Sequence, residues 1–170
     1  MLSHAALEHL YDAYASGVVH YFMSFVKCEA DAKDLLQELF LKLHACGLPE
    51  SLESEKAYVW HLAHNLAIDW LRRKGAHDRA VESSAEEPRS LFADQANPDA
   101  AEFARRLEQA LAKLPTEQRS IAQLKLWDGL TFDEIAAVQG IPLNTAASRY
   151  RYAIDKLRTL LRPLYEEIKP

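Results

Sequence analysis

The sequence has few residues that interrupt regular structure, few cysteines and no long apolar run. Only 5 glycines and 7 prolines occur among 170 residues, which favours long helices. No apolar stretch approaches the roughly 20 residues that cross a bilayer, and residues 1–10 lack the basic flank and apolar core of a secretory signal. Cys28 and Cys46 lie in separate helical patterns, and we expect both to be buried or half-buried thiols in a reducing compartment. These absences predict a helical, cytoplasmic protein without membrane insertion.

The charge is distributed unevenly along the chain. The formal net charge is −5, which by itself argues against a nucleic-acid partner. Residues 75–104 contain seven acids and two bases, whereas residues 144–162 contain five bases and one acid. The C-terminal segment is therefore basic although the whole chain is acidic, so nucleic-acid binding there is not excluded.

Apolar residues recur with helical spacing along most of the chain. The pattern predicts helices over residues 5–25, 30–45, 55–74, 100–114, 115–127, 132–139 and 144–165. Pro115 is expected at the first position of its helix, and Thr131 with Glu134 forms a capping-box pattern. We therefore predict an all-α fold of two small helical domains, residues 1–74 and 99–170, joined by a flexible acidic linker over residues 75–98.

The C-terminal domain contains the pattern of a helix-turn-helix. A short helix ends at Gly140-Ile141-Pro142, and the next helix begins with small and polar residues. Its outward side would present Asn144, Thr145, Ser148, Arg149, Arg151 and Tyr152. Such side chains can bind phosphates or base edges in the major groove, so this face is the candidate DNA-binding surface. The alternative is an ordinary helix pair with a solvated basic face.

Four sequence segments resemble the bacterial sigma factors, in the same order. Residues 31–43 (DAKDLLQELFLKL) and 65–74 (NLAIDWLRRK) resemble the family's second conserved region. Residues 114–119 (LPTEQR) and the pair 134–136 (EIA) and 145–149 (TAASR) resemble its fourth region. Both domains are covered, and the compact length is similar to the extracytoplasmic-function (ECF) subclass. The resemblance implies a transcription initiation factor that binds core RNA polymerase and promoter DNA, and that is held inactive by an anti-sigma factor or by low expression.

The resemblance also implies roles for individual residues. The helix over residues 31–43 matches the surface that docks on polymerase, with Asp34, Gln37, Glu38 and Lys42 as the candidate contacts. The third helix matches the part that melts and captures the minus-10 element. Its candidate DNA contacts are Tyr58, Trp60, His61 and Asn65, with Arg72, Arg73 and Lys74 for backbone phosphates. The face over residues 144–152 would read the minus-35 element as duplex.

Several positions depart from the family pattern. Tyr58 stands where the family usually has Trp, His64 where it usually has Arg, and Ala147 where it usually has Lys or Arg. These changes leave the helical pattern intact but alter the groups that face DNA. A promoter consensus is therefore not carried over to this chain.

Other classes of protein fit less well. His61 and His64 are three residues apart on one helix, but no third ligand is near in the pattern, so no metal site is expected. No phosphate-binding loop or nucleophile motif occurs, so we expect neither an enzyme nor a cofactor. Two alternatives remain: a stand-alone helix-turn-helix regulator, and a polymerase-binding module that has lost promoter recognition.

Overall fold

The computed structural model describes residues 1–26, 28–49, 51–77 and 98–168, and in these ranges it contains seven α-helices and no strand. The helices are α1 (His4–Met23), α2 (Glu29–Cys46), α3 (Glu55–His77), α4 (Pro98–Ala112), α5 (Thr116–Leu126), α6 (Phe132–Gln139) and α7 (Leu143–Ile168). The predicted all-α fold of two helical domains is confirmed.

The first three helices form a bundle in which each helix packs against the other two. Ser3 caps α1, because its hydroxyl oxygen accepts a hydrogen bond from the Ala6 amide at 3.2 Å. Gly47 ends α2 at φ +74°, in a backbone region that favours glycine. Large aromatic side chains, including Tyr21, Phe22 and Trp60, fill the interior of the bundle.

The last four helices are organised around α7, which packs against α4, α5 and α6. The predicted capping box is present: the Glu134 amide donates to the Thr131 hydroxyl, and the Glu134 carboxylate accepts from the Thr131 amide at 2.8 Å. Gly140 ends α6 in the left-handed region at φ +64°, and the Ile141 amide donates to the Ala136 carbonyl at 3.1 Å. These local interactions fix the turn between α6 and α7 and so set the direction of α7.

Several predicted helix boundaries differ from the structure, and Cys46, expected to be at least half-buried, is exposed at the end of α2. Pro115 precedes α5 rather than beginning it, and its carbonyl accepts from the amides of Gln118 and Arg119. Helix α3 continues three residues beyond Lys74, to His77, and α4 begins at Pro98. The two ends of the predicted acidic linker are thus helical, while its interior, residues 78–97, lies outside the described residues.

The two domains are in direct contact. Helix α3 packs against α6, and α1 packs against α5. One continuous cluster of buried apolar residues extends from the N-terminal bundle to C-terminal residues, which are Ile121, Leu124, Leu130, Ile135, Val138 and Ala146. This closed arrangement decides which of the candidate site residues reach the surface.

Candidate nucleic-acid interface

The candidate DNA-binding face lies on the first turns of α7. Asn144, Arg151 and Tyr152 are exposed, with 56% of Tyr152 accessible, while Thr145 and Ser148 are half-buried. The opposite side of the helix is buried through Ala146, Ala153 and Leu157. Because the apolar side is fixed against the domain, the polar edge is presented to solvent.

Arg149 is held differently from the other basic residues of this face. Its guanidinium lies 4.0 Å from the Glu117 carboxylate of α5, and 31% of its side chain is exposed. It lines a cavity of about 230 Å³ between the domains. The other residues of the cavity wall are Phe25, His64, Ile68, Thr116, Glu117, Ser120, Gln139 and Ile141. In the closed arrangement Arg149 therefore faces the N-terminal domain as well as solvent.

A short hydrogen-bond chain on α3 joins the candidate minus-10 residues to the other domain. His61 Nδ1 lies 3.0 Å from the Val138 carbonyl oxygen of α6, and His61 Nε2 lies 3.1 Å from the Asn65 amide nitrogen. With the proton on Nδ1, the ring donates to Val138 and accepts from Asn65. Asn65 itself is exposed, so His61 is engaged by the interface while Asn65 remains accessible.

Trp60 lies in the core rather than on the expected strand path. Only 2% of it is exposed, and its ring meets Tyr21 edge-to-face with centroids 5.3 Å apart. Tyr58 is half-buried. The helical period explains the difference, since Val59, Trp60 and Ala63 share the buried side of α3. In this closed form the ring of Trp60 is not available for stacking on a base.

The cations at the end of α3 are accessible to phosphates. Arg72 and Arg73 are exposed, with Arg72 3.6 Å from Asp69 and Arg73 3.9 Å from Glu38. Lys74 lies over the Trp70 ring, 4.6 Å from its centroid. Exposed ion pairs of this kind are worth little, so a phosphate can replace the carboxylate partners.

The candidate polymerase-binding residues form a stripe on α2. Asp34, Gln37 and Lys42 are exposed, and Glu38 is half-buried, 3.5 Å from Lys42. The prediction missed Leu41, which is 69% exposed. Positions 34, 37, 38, 41 and 42 follow the helical spacing of three and four residues, so an apolar side chain lies within the polar stripe. The same spacing in the sequence could have placed Leu41 among the candidate polymerase contacts.

Polar contacts between the domains were also missed by the sequence analysis. Ser54 donates to the Glu134 carboxylate at 3.0 Å, and Ser24 donates to the Gln123 amide oxygen at 2.5 Å. Arg119 donates to the carbonyls of Ser24 and Leu114, at 2.5 and 3.0 Å. The partners in the bonds of Ser54 to Glu134, Ser24 to Gln123 and Arg119 to Ser24 are 80 to 99 residues apart, and helical spacing carries no information about such pairs.

Two buried ionisable groups lie near this interface. Burial, with the charge of His61, lowers the pKa of His64 to about 4, and the Tyr21 hydroxyl lies 2.8 Å from its Nδ1. Burial raises the pKa of Asp128 to about 7, against the opposing effect of Lys56. Among the described residues no group of three or more metal-ligating side chains occurs.

Comparisons with known proteins agree with a fold of two helical domains. Residues 10–77 match the Sigma-70 region 2 family, and residues 104–157 match the Sigma-70 region 4 family. This combination defines the class of bacterial RNA polymerase sigma factors.

Two relatives cover nearly the whole chain. The ECF RNA polymerase sigma factor RpoE of Cereibacter sphaeroides is 32% identical over 91% of this chain and 85% of its own. The ECF sigma factor SigL of Mycobacterium tuberculosis is 30% identical over 94% of this chain and 91% of its own. The chain therefore belongs to the ECF RNA polymerase sigma factors. It is a transcription initiation factor that directs RNA polymerase to promoters, and it is not an enzyme.

Solved structures share the fold. The sigma factor RpoE of Bartonella quintana, in complex with the anti-sigma factor NepR, has a TM-score of 0.71 at 22% identity, covering 91% of this chain and 96% of that chain. CnrH, in complex with the cytosolic domain of CnrY, has a TM-score of 0.67 at 23% identity, covering 95% and 90%. None of the described helices is long and apolar enough to span a membrane.

Proposed function

We propose that residues 1–74 bind core polymerase and the minus-10 element, and that residues 99–170 read the minus-35 element as duplex. One observation carries the proposal: Asn144, Arg151 and Tyr152 protrude from the first turns of α7, whose other side is buried. A recognition helix needs such a protruding polar edge to reach bases in the major groove. Thr145, Ser148 and Arg149 extend the same edge with groups that can bind phosphates.

The α2 stripe is proposed as the polymerase contact. Asp34, Gln37, Glu38 and Lys42 supply charged and polar groups around the exposed Leu41. An apolar side chain surrounded by polar ones is the composition of a protein–protein contact with a small central anchor. The polar residues would set orientation, and Leu41 would supply most of the buried apolar area.

Helix α3 is proposed to hold the separated minus-10 strand. Asn65 is exposed and can read a base edge, while Arg72, Arg73 and Lys74 can neutralise backbone phosphates. Tyr58 is a candidate for stacking on an unpaired base. His61 joins this surface once its hydrogen bond to Val138 is released. We give Trp60 the role of holding α3 in the bundle rather than of contacting DNA.

We further propose that the protein acts in the cytoplasm, where polymerase and promoter DNA are found, and that an anti-sigma protein restrains it. The second part is supported by one structural neighbour of the same fold, RpoE of Bartonella quintana, which is bound by the anti-sigma factor NepR in its solved structure. The stripe on α2 and the edge of α7 are the surfaces that such a partner would need to cover.

The test is transcription in vitro with purified core polymerase and a pool of genomic promoter fragments. Wild-type protein should produce new start sites, and Arg149→Ala/Arg151→Ala should reduce these transcripts at least about tenfold, since each lost base or phosphate contact costs about 1–3 kcal/mol. The matched control is Lys156→Ala/Arg158→Ala, which removes the same charge from exposed positions further along α7. The control should retain most of its transcripts.

A second arm tests α3. Asn65→Ala should lower opening of the minus-10 region, read as permanganate reactivity of unpaired thymines, while polymerase binding is unchanged. Core binding without new transcripts in the wild type would favour the module that has lost promoter recognition. Failure to bind core polymerase would overturn the proposed surfaces altogether.

A further inference from the structure

The contact between the domains includes a buried carboxyl group that the promoter-binding surfaces do not use. Asp128 lies in the turn between α5 and α6 and reaches across to the N-terminal bundle. A Cβ added at Gly17 of α1 would meet Asp128 Oδ1 at 2.9 Å and the Trp60 ring at 3.3 Å. The carboxyl group is therefore inserted where α1 has no side chain, beside the indole of Trp60.

The surroundings of this carboxyl group do not solvate a negative charge well. Asp128 Oδ2 is buried and has no hydrogen-bond partner among the described residues, and the same holds for Trp60 Nε1. Ionised carboxylates in proteins are normally surrounded by hydrogen-bond donors, and an unpaired buried charge is costly. A neutral, protonated carboxyl group is better suited to this position.

We propose that Asp128 is a proton-controlled latch between the two domains: its protonated form favours the closed arrangement, and its ionised form favours separation. Opening would carry the carboxylate from the contact with Gly17 and Trp60 into water. The same opening would release His61 from Val138 and free the Arg149 side of the cavity. The equilibrium between the closed and the separated arrangement is inferred from the geometry of this contact alone, while its consequence for promoter binding rests on the proposed function.

The charged and titratable groups around Asp128 come from three elements. Lys56 on α3 is the neighbouring cation, and its Nζ would lie 3.8 Å from a Cβ at Gly129. Glu134 on α6 is also influenced by Lys56 and so competes for its charge. Tyr21 on α1 stays neutral, because burial and, to a smaller extent, Asp128 raise its pKa. The positive charge of Lys56, which also acts on Glu134, does not offset the cost of burying the ionised carboxylate of Asp128.

The direction of the pH effect follows from proton linkage. The pKa of Asp128 is about 7 in the closed form and 3.8 when the group is free in water, so closing takes up a proton. The closed-to-open ratio therefore falls as pH rises, by about tenfold between pH 6 and pH 8, and levels off at higher pH. His64, in the cavity wall, acts in the opposite direction, because its buried ring disfavours the protonated form below pH 6.5.

The test is single-molecule energy transfer on the full chain without polymerase or DNA. One dye is attached to Cys46, which is exposed at the end of α2, and the other to a cysteine replacing the exposed Lys156 of α7, in a Cys28→Ser background. The closed fraction is counted at pH 6 and pH 8 for this protein and for the same protein with Asp128→Asn, a neutral group of similar shape. Dividing one closed-to-open ratio by the other removes the contribution of His64.

That quotient should fall about tenfold from pH 6 to pH 8. Asp133→Asn, a matched change at an exposed acid in the first turn of α6, should leave the pH profile parallel to that of the parent protein. A quotient that does not change with pH, or a single closed distance in all proteins at both pH values, would overturn the latch. Neither outcome bears on whether the protein directs transcription, which is measured separately.

A second variant tests the geometry without altering the acid. Gly17→Ala places a methyl group 2.9 Å from Asp128 Oδ1, in the middle of α1, where alanine favours the helix. The closed-to-open ratio should drop at both pH values while helix content, read by circular dichroism, is retained. An unchanged ratio would contradict the assigned contact.

Discussion

The two domains fill their interiors with side chains of very different size. The N-terminal bundle buries Trp60, Tyr21 and Phe22 almost completely. The separate cluster of the C-terminal domain consists of alanines and leucines, namely Ala110, Leu111, Leu114, Ala122, Ala153 and Leu157. The larger apolar residues of α5 and α6 belong instead to the cluster shared with the N-terminal bundle. The N-terminal domain thus has a large core of its own, whereas much of the apolar surface of the C-terminal domain is buried only by packing against the N-terminal bundle.

The largest expected effect comes from removing the aromatic centre of the N-terminal bundle. Trp60→Ala should lower the free energy of unfolding by about 3–5 kcal/mol, because it leaves a cavity beside Tyr21. Leu157→Ala, in the smaller cluster, should cost about 2–3 kcal/mol, since a leucine leaves a smaller cavity than a tryptophan and the surrounding aliphatic side chains can partly close it. Urea denaturation followed by circular dichroism measures both. Equal losses would contradict the comparison between the two cores.

The next effect concerns pH and the buried imidazole of His64. Its pKa is about 4 in the folded chain and 6.5 when free, so the unfolded state takes up the proton first as pH falls. This stabilising contribution is complete above pH 6.5 and is lost as pH falls from 6.5 to 4, by about 3 kcal/mol. Urea melts over this range give the free energy of unfolding of wild type and of His64→Gln, and the difference between the two isolates the contribution of His64. The contribution of Asp128 has the opposite pH dependence and cancels in this difference. His9→Gln, at an exposed position, should leave the profile unchanged.

The smallest effect separates surface function from stability. Leu41→Ala should lower affinity for core polymerase about tenfold, because a central apolar anchor is worth roughly 1–2 kcal/mol at an interface. Since Leu41 is 69% exposed, the free energy of unfolding should change by less than about 0.5 kcal/mol. Binding is measured by fluorescence titration of labelled protein with core enzyme. Undiminished affinity would remove α2 from the proposed docking surface.

The local features of the fold were predictable because they depend on near neighbours in the chain. The bounds of α6 follow from Thr131, Glu134 and Gly140, and the structure has α6 over Phe132–Gln139 as expected. The exposed edge at Asn144 and Arg151 follows from helical spacing alone. Boundaries were less accurate at Pro115, where the ring allows both the capping position and the first turn.

The environments that the sequence did not predict depend on contacts between distant segments. Trp60 was expected on the surface because an aromatic residue near Asn65 fits both stacking on DNA and packing in the bundle. The insertion of Asp128 at Gly17 joins positions more than a hundred residues apart, and no periodicity encodes it. The closed arrangement of the domains therefore could not be predicted from the sequence.

The shape of α7 sets how finely the C-terminal domain must be positioned. Its 26 residues make a helix about 39 Å long, with the polar edge at one end. At the other end Leu164 is buried, and the Glu167 carboxylate accepts a bond from Arg106 of α4 at 3.0 Å. A rotation of about 5° at that anchored end moves the tip by about 3 Å, close to the spacing of one base pair. A small tilt of α7 about the Arg106–Glu167 contact would therefore shift the proposed DNA-reading edge by about one base pair along a duplex.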